Sequence, residues 1–451
     1  MNGSDSNSFP LEARKNKRVI KPNLLPMNGS SFLFLAIFIY CLSSSFATAS
    51  SPKIKVGIDR LMEEEFLFLL KGKRIGLIAN HTSINNSLQS TAEVLKSKAA
   101  ANGYSLVALF APEHGFTGAA YAYQSVDEAK DHDNVPIYSL YGKTERPTDQ
   151  MLKNIDLLIF DIQDIGTRSY TYIATMFYAM EEAAKHNIAF MVLDRPNPIN
   201  GLIVDGPLLE DNWRSSLGYV NVPYCHGMTV GELARFFNEQ YDIQCQLEVI
   251  PMKGWQRWMT FTDTGLTWIP TSPYIPEPDT PFFYPTTGIL GELRFINIGI
   301  GYTLPFKLVG APWIDAKHFA EHLNAQKFPG VHFRPFYYTP VYGRFAKENC
   351  QGVFIVVTDE AKFKPVSTQY LLLGMLKSLY PEKFNEAIVA AKKRKETICK
   401  LNGTEQIYHL IVNEKYISWK LCEVHAKERE AFIKLRKRYL INDYGIDKPR
   451  T

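Results

Sequence analysis

Short apolar runs that stop abruptly in polar residues recur along the first half of the chain. Residues 74–79 end in Asn80, His81 and Thr82, and residues 106–111 end in Pro112, Glu113 and His114. Residues 157–160 end in Asp161, Gln163 and Asp164, with Arg168 and Tyr170 close behind; residues 189–193 end in Asp194, Arg195 and Asn197. Runs of this length read as strands buried on both faces, the habit of parallel sheets. Between them, residues 91–101 and 172–186 have helical spacing, with Ile173, Met176, Phe177, Met180 and Ala184 three or four apart. Strand and helix in alternation predict an α/β fold, a Rossmann-like three-layer sandwich with a mainly parallel sheet. If the strands point the same way, their polar tips share one rim, where open α/β sheets bind ligands.

The texture changes beyond Gly206. A helix is expected over 228–241, with Thr229 and Glu232 as its capping box. Residues 246–250 and 353–358 read as strands, and 315–326, 368–379, 383–400 and 420–439 as helices. The segment 255–285 is rich in Pro, Trp, Tyr and Thr, suited either to stacking on sugar rings or to core packing. Residues 117–134 show little periodicity and read as a long loop over the rim. The expected organisation is a targeting segment at 1–50, a Rossmann-like catalytic domain at 51–210, and a C-terminal α+β auxiliary domain at 211–451 with a helical tail.

The first segment has the form of an export signal. Arg14, Lys15, Lys17, Arg18 and Lys21 precede an apolar run at 32–42, and Ala47-Thr48-Ala49 follows as an A-x-A cleavage pattern. The run is short for a membrane span, so a cleaved signal and an exported protein without a stable span are expected. Apolar content of 46% fits an ordinary globular protein, and a net charge of +4 over 451 residues gives no electrostatic case for nucleic acid. Of six cysteines, one lies inside the apolar run; the other five are widely spaced without a CxxC, so no zinc site is expected, while one or two bridges stay open.

Glu113 is the sharpest candidate for chemistry. A carboxylate held just past a strand and a proline can serve as a general acid, or can equally cap the next helix or pair with an arginine. Asp161, Asp164 and Asp194 are candidates for a second carboxylate of the kind glycoside hydrolysis uses, or for structural anchors of loop amides. Arg168 and Arg195 suit a bidentate grip on a substrate carboxylate. His81, His114 and His226 raise a metal reading that no HxH or HExxH spacing supports. The glycines around 288–301 lack a strand-GxGxxG-helix frame, and no G-x-S-x-G elbow occurs.

With these residues in view, the chain resembles a bacterial family of exo-β-N-acetylmuramidases, the NamZ type, once a domain of unknown function. The resemblance is carried in order by KGKRIGLIANHTS, APEHGF, VPIYSLYG, IDLLIFDIQDIGTRSYTYI, LDRPNP, HGMTVGELA, LVGAPWI and KLRKRYL. It implies a glycosidase that removes N-acetylmuramic acid from the non-reducing end of peptidoglycan fragments, with no cofactor. It also implies that Glu113 is the catalytic acid; Asp161 and Asp164 fall in another shared motif, and a catalytic role for one of them is inferred from its place on the rim. Asn80, His81, His114, Gln163, Arg168, Tyr170, Asp194 and Arg195 are then candidates for binding muramyl saccharides. Thr117 and Gln124 stand where many relatives carry Arg and Glu, which keeps open a wall-sugar-binding protein without turnover, and a metal-dependent hydrolase is the third alternative.

Overall fold

The computed structural model describes residues 54–120 and 129–445. The targeting segment and Gln124 lie outside them, as does much of the loop expected at 117–134. Seven strands, β1 (Arg74–Ala79), β2 (Ser105–Ala111), β3 (Ala129–Lys130), β4 (Pro136–Ser139), β5 (Leu157–Asp161), β6 (Ala189–Leu193) and β7 (Leu247–Ile250), form one sheet in the order β3-β4-β2-β1-β5-β6-β7. All neighbours are parallel except the two-residue edge strand β3. The chain builds outward from β1 on one side through β2 and β4, then returns to build on the other side from β5. The direction of winding therefore switches between β1 and β5, where Ala79 is level with Asp161.

Side chains alternate between two cores. Ile75, Leu77, Ile159 and Met191 face one layer with Val94 and Leu95 of the helix Thr91–Asn102. Ile78, Phe110, Phe160 and Val192 face the other with Met176, Phe177 and Met180 of the helix Thr171–Lys185, and Leu233 and Phe237 of the helix Val230–Gln240. Each such buried side chain is worth about 1.5–3 kcal/mol of transfer free energy, which is what commits the strands to this two-faced packing. Thr229 caps the last of these helices, with Glu232 completing the reciprocal bond. Its strand, β7, joins the same sheet, so the α/β layer continues past residue 210.

A smaller antiparallel sheet follows, β8 (Leu308–Ala311), β9 (Val331–Tyr338) and β10 (Cys350–Val357), in the order β8-β10-β9. Two helices expected to be continuous are broken. The stretch 383–400 divides into Pro381–Ala391 and Lys395–Asn402, where four consecutive cations, Lys392 to Lys395, crowd one turn and Arg394 turns aside to pair with Glu292. The stretch 420–439 breaks at His425, which takes a left-handed backbone between Ser418–Glu423 and Ala426–Arg436. Conversely, the Pro-rich segment leads into a helix, Thr280–Glu292. Pro281 is tolerated in its first turn, while the hydroxyls of Thr286 and Thr287 bond the carbonyls of Phe282 and Phe283 beside Pro285.

Cys225, Cys245, Cys350, Cys399 and Cys422 are free thiols, four of them buried. No helix among the described residues is long and apolar enough to cross a membrane.

Candidate active site

The strand β2 leaves the sheet in a tight turn, Pro112 to Gly115, closed by a 3.0 Å bond from the Gly115 amide to the Pro112 carbonyl. His114 holds a left-handed backbone, φ 71°, which few side chains adopt without a local reason. Its ring is fixed by a 2.7 Å contact between Nδ1 and the Ala120 carbonyl. Gly118 lies so close to His81 that a Cβ there would be driven into the imidazole ring, so this loop packs down only with glycine.

The turn presents Glu113 at 8% exposure. Across from it, the chain past β5 enters the helix Thr171–Lys185, and Thr171 at its first position donates a 2.7 Å hydrogen bond to Glu113 Oε2. Both residues open onto a cavity of about 660 Å³, roomy enough for a sugar residue. His114 and Tyr170 share its wall.

The opposite wall comes from the second half of the chain. Tyr170 meets Tyr284 edge-on at 5.9 Å between ring centres, and Tyr284 meets Phe306 at 5.1 Å. The Tyr170 hydroxyl donates to Thr271 Oγ1 at 2.8 Å and the Tyr172 hydroxyl to the Thr271 carbonyl at 2.6 Å, tying the two halves together beside the site. Burial pushes the Tyr170 phenol well above its ordinary range, so it acts as a neutral donor. Two further carboxylates, Glu145 and Glu292, reach the wall, as do Asn297 and Arg344.

Most of the other acids and arginines at the strand tips turn into the protein. Asp161 is 0% exposed and receives Arg195 in a bidentate pair, at 2.5 Å and 2.9 Å, together with the Thr91 hydroxyl. Asp194 accepts from the Thr229 and Tyr444 hydroxyls and the Gly231 and Arg195 amides, and burial raises its carboxyl to about 6. Asp164 accepts from the Gly166 amide while its Oδ1 is buried without a partner, and burial raises it to about 7. Arg168 spreads over the carbonyls of Pro207, Val222 and Leu401.

The polar neighbours are likewise engaged. Gln163 donates to the carbonyls of Asp164 and Pro196, and Asn80 accepts from the amide and hydroxyl of Thr82. His81 contacts the Pro270 carbonyl at 2.6 Å. His226 is fully buried, its imidazole held down to about 3 by desolvation. Of the candidates named from sequence, Glu113, His114 and Tyr170 line the cavity; Asn80, His81, Asp161, Gln163, Asp164, Arg168, Asp194 and Arg195 do not. Among the described residues, no three of His, Cys, Asp and Glu cluster in a way that could hold a metal ion.

Two family models cover almost all of this architecture: the N-terminal part of exo-β-N-acetylmuramidase NamZ over residues 75–279, and its C-terminal part over 282–441. The chain belongs to the NamZ family. It is 43% identical over 395 residues to the peptidoglycan β-N-acetylmuramidase NamZ of Bacillus subtilis (strain 168), covering 87% of this chain and 92% of that one. A DUF1343 family protein from Bacteroides fragilis, known from its crystal structure, superposes with a TM-score of 0.80 at 42% identity, over 86% of this chain and 99% of that one. A second DUF1343 protein from the same organism gives 0.61 at 26% identity, over 86% and 98%.

The junction between the two NamZ models at 279–282 falls at the start of the helix Thr280–Glu292, so the cavity draws on both halves. Sequence reasoning singled out neither Thr171 nor Glu145, Asn297 or Arg344. Thr171 lies inside the motif IDLLIFDIQDIGTRSYTYI, between Tyr170 and Tyr172, which was its one available signal. The aromatic segment at 255–285 divides between its two readings: Tyr274 and Tyr284 face the cavity, whereas Trp255 is wholly buried in the core.

Proposed function

We propose that this protein is an exo-acting glycoside hydrolase that releases N-acetylmuramic acid from the non-reducing end of peptidoglycan fragments, with Glu113 as the general acid. The observation that carries the reading is the placement of Glu113: a carboxylate on a rigid turn, oriented by Thr171 and opening onto an aromatic-walled cavity in a NamZ-family chain. Protonated Glu113 gives its proton to the glycosidic oxygen as the bond to the anomeric carbon breaks, and water supplies the hydroxyl that completes the sugar. Tyr170, Tyr274 and Tyr284 supply aromatic faces to a pyranose ring. Since Asp161 is locked to Arg195, the second carboxylate falls instead to Glu145, which is exposed at the cavity.

Incubation with a synthetic β-N-acetylmuraminide and with muropeptide-derived disaccharides tests this reading. Free N-acetylmuramic acid is the expected product; binding without any product would return the chain to the wall-sugar-binding class. The basic lead, apolar run and Ala47-Thr48-Ala49 pattern support export with cleavage after Ala49. N-terminal sequencing of the mature protein, with Ser50 expected first, tests that part.

A further inference from the structure

The cavity wall has an uneven charge. Among the described residues that line it, Arg344 is the sole Arg or Lys, against the carboxylates of Glu113, Glu145 and Glu292. Glu292 is already paired with Arg394. A muramyl sugar differs from N-acetylglucosamine by an ether-linked lactyl group whose carboxylate is ionised at neutral pH. Such an anion entering a wall that carries acids alone would be repelled. The two arginines that the sequence offered for it are engaged elsewhere, Arg195 with Asp161 and Arg168 with three backbone carbonyls.

Arg344 is placed differently. It is exposed, and its guanidinium forms no ion pair with any described residue; it lies over the Phe345 ring at 4.5 Å. Stacking occupies the face of a guanidinium and leaves its planar fork of N–H donors for a partner. The backbone beneath it is clamped. Asn297, 2% exposed, donates from Nδ2 to the Arg344 carbonyl at 3.0 Å and the Ile300 carbonyl at 2.9 Å, while its Oδ1 accepts from the Gly299 amide and the Tyr338 hydroxyl. The Val341 amide bonds the Gly301 carbonyl at 2.7 Å, stapling the β9–β10 loop to the segment on the cavity wall. A cation on a fixed backbone has less freedom to lose when it binds.

We propose that Arg344 recognises the lactyl carboxylate of a muramyl residue in this cavity and so selects muramyl over glucosaminyl ends. The inference rests on the muramidase reading above and adds the residue that sets its substrate choice. The carboxylate accepts two parallel N–H bonds from the guanidinium, a contact an uncharged N-acetylglucosaminyl end does not make.

The test uses the full chain and three chromogenic substrates: p-nitrophenyl β-N-acetylmuraminide, the same compound with its lactyl carboxylate converted to an amide, and p-nitrophenyl β-N-acetylglucosaminide. Arg344→Ala is expected to lower kcat/KM on the muraminide by about ten- to hundredfold, mainly through KM, and to leave the other two at wild-type values. Arg344→Lys should restore part of the loss, because it keeps the charge without the fork. An Arg344→Ala variant that matches wild type on the muraminide, or that loses all three substrates equally, overturns the inference while the muramidase reading stands. If wild type cleaves none of the three, that reading falls by itself and calorimetry decides the role of Arg344. Binding of N-acetylmuramic acid tighter than N-acetylglucosamine, lost in Arg344→Ala, supports it; equal affinities overturn it.

Discussion

Thr171 Oγ1 donates a 2.7 Å hydrogen bond to Glu113 Oε2, joining the first residue of one helix to the turn that follows β2. The contact spans two strand ends, so neither residue alone defines the site. The hydroxyl holds the carboxylate in one orientation at the mouth of the cavity.

Glu113→Gln keeps the volume and the acceptor for Thr171 but removes the transferable proton. Steady-state rates on a synthetic muraminide are expected to fall about a hundred- to ten-thousandfold, with the thermal midpoint nearly unchanged. An active variant would take Glu113 out of the mechanism.

Thr171→Val removes the hydroxyl with little change in shape. A loss of about tenfold in kcat is expected, with KM little altered, because the hydrogen bond orients the acid rather than the sugar. A rise in KM at constant kcat would instead place Thr171 among the sugar contacts.

Asp161 and Arg195 form a buried pair, at 0% and 5% side-chain exposure. Asp161→Asn leaves the guanidinium without its counter-charge and should cost about 3–5 kcal/mol of stability, seen as a lower urea midpoint. Activity per folded molecule should survive, since neither side chain lines the cavity; a folded but inactive variant would restore a catalytic role to Asp161.

Burial keeps the Asp164 carboxyl protonated up to about 7, whereas in the unfolded chain it ionises near 3.8. The folded state therefore holds the extra proton between those values and loses stability as pH rises through the window, by up to about 1.4 kcal/mol per pH unit. Asp164→Asn still accepts from the Gly166 amide and cannot ionise. Its urea midpoint should match wild type near pH 4 (about the lower edge of the window) and exceed it near pH 8 (about one unit above the upper edge). His226, held down to about 3, contributes the opposite slope to both proteins and cancels in the difference. Equal midpoints across the range would show that Asp164 ionises normally in the fold.

The strands were legible because the four apolar runs of the first half match their strands to within one residue. Residues 74–79 read from the pattern are β1 residue for residue, and the Thr229–Glu232 capping box was visible as spacing alone. The breaks at Arg394 and His425 were not, because they depend on partners and backbone angles that no local window contains. The helix Thr280–Glu292 was not legible either, since it runs through Pro285, which a local window reads as a helix breaker.

Local pattern by itself determined that buried strands end abruptly in polar tips and that Glu113 follows one of them, since apolar period and run length are properties of neighbouring residues; that the strands pair in parallel, so that the tips share one rim, was decided by the sheet. Local pattern could not say which tips face a ligand. Tertiary packing decided that, by pairing Asp161 with Arg195 in a water-free interior where neither charge is stable alone, and by bringing Thr171, Tyr284 and Arg344 from distant parts of the chain around Glu113.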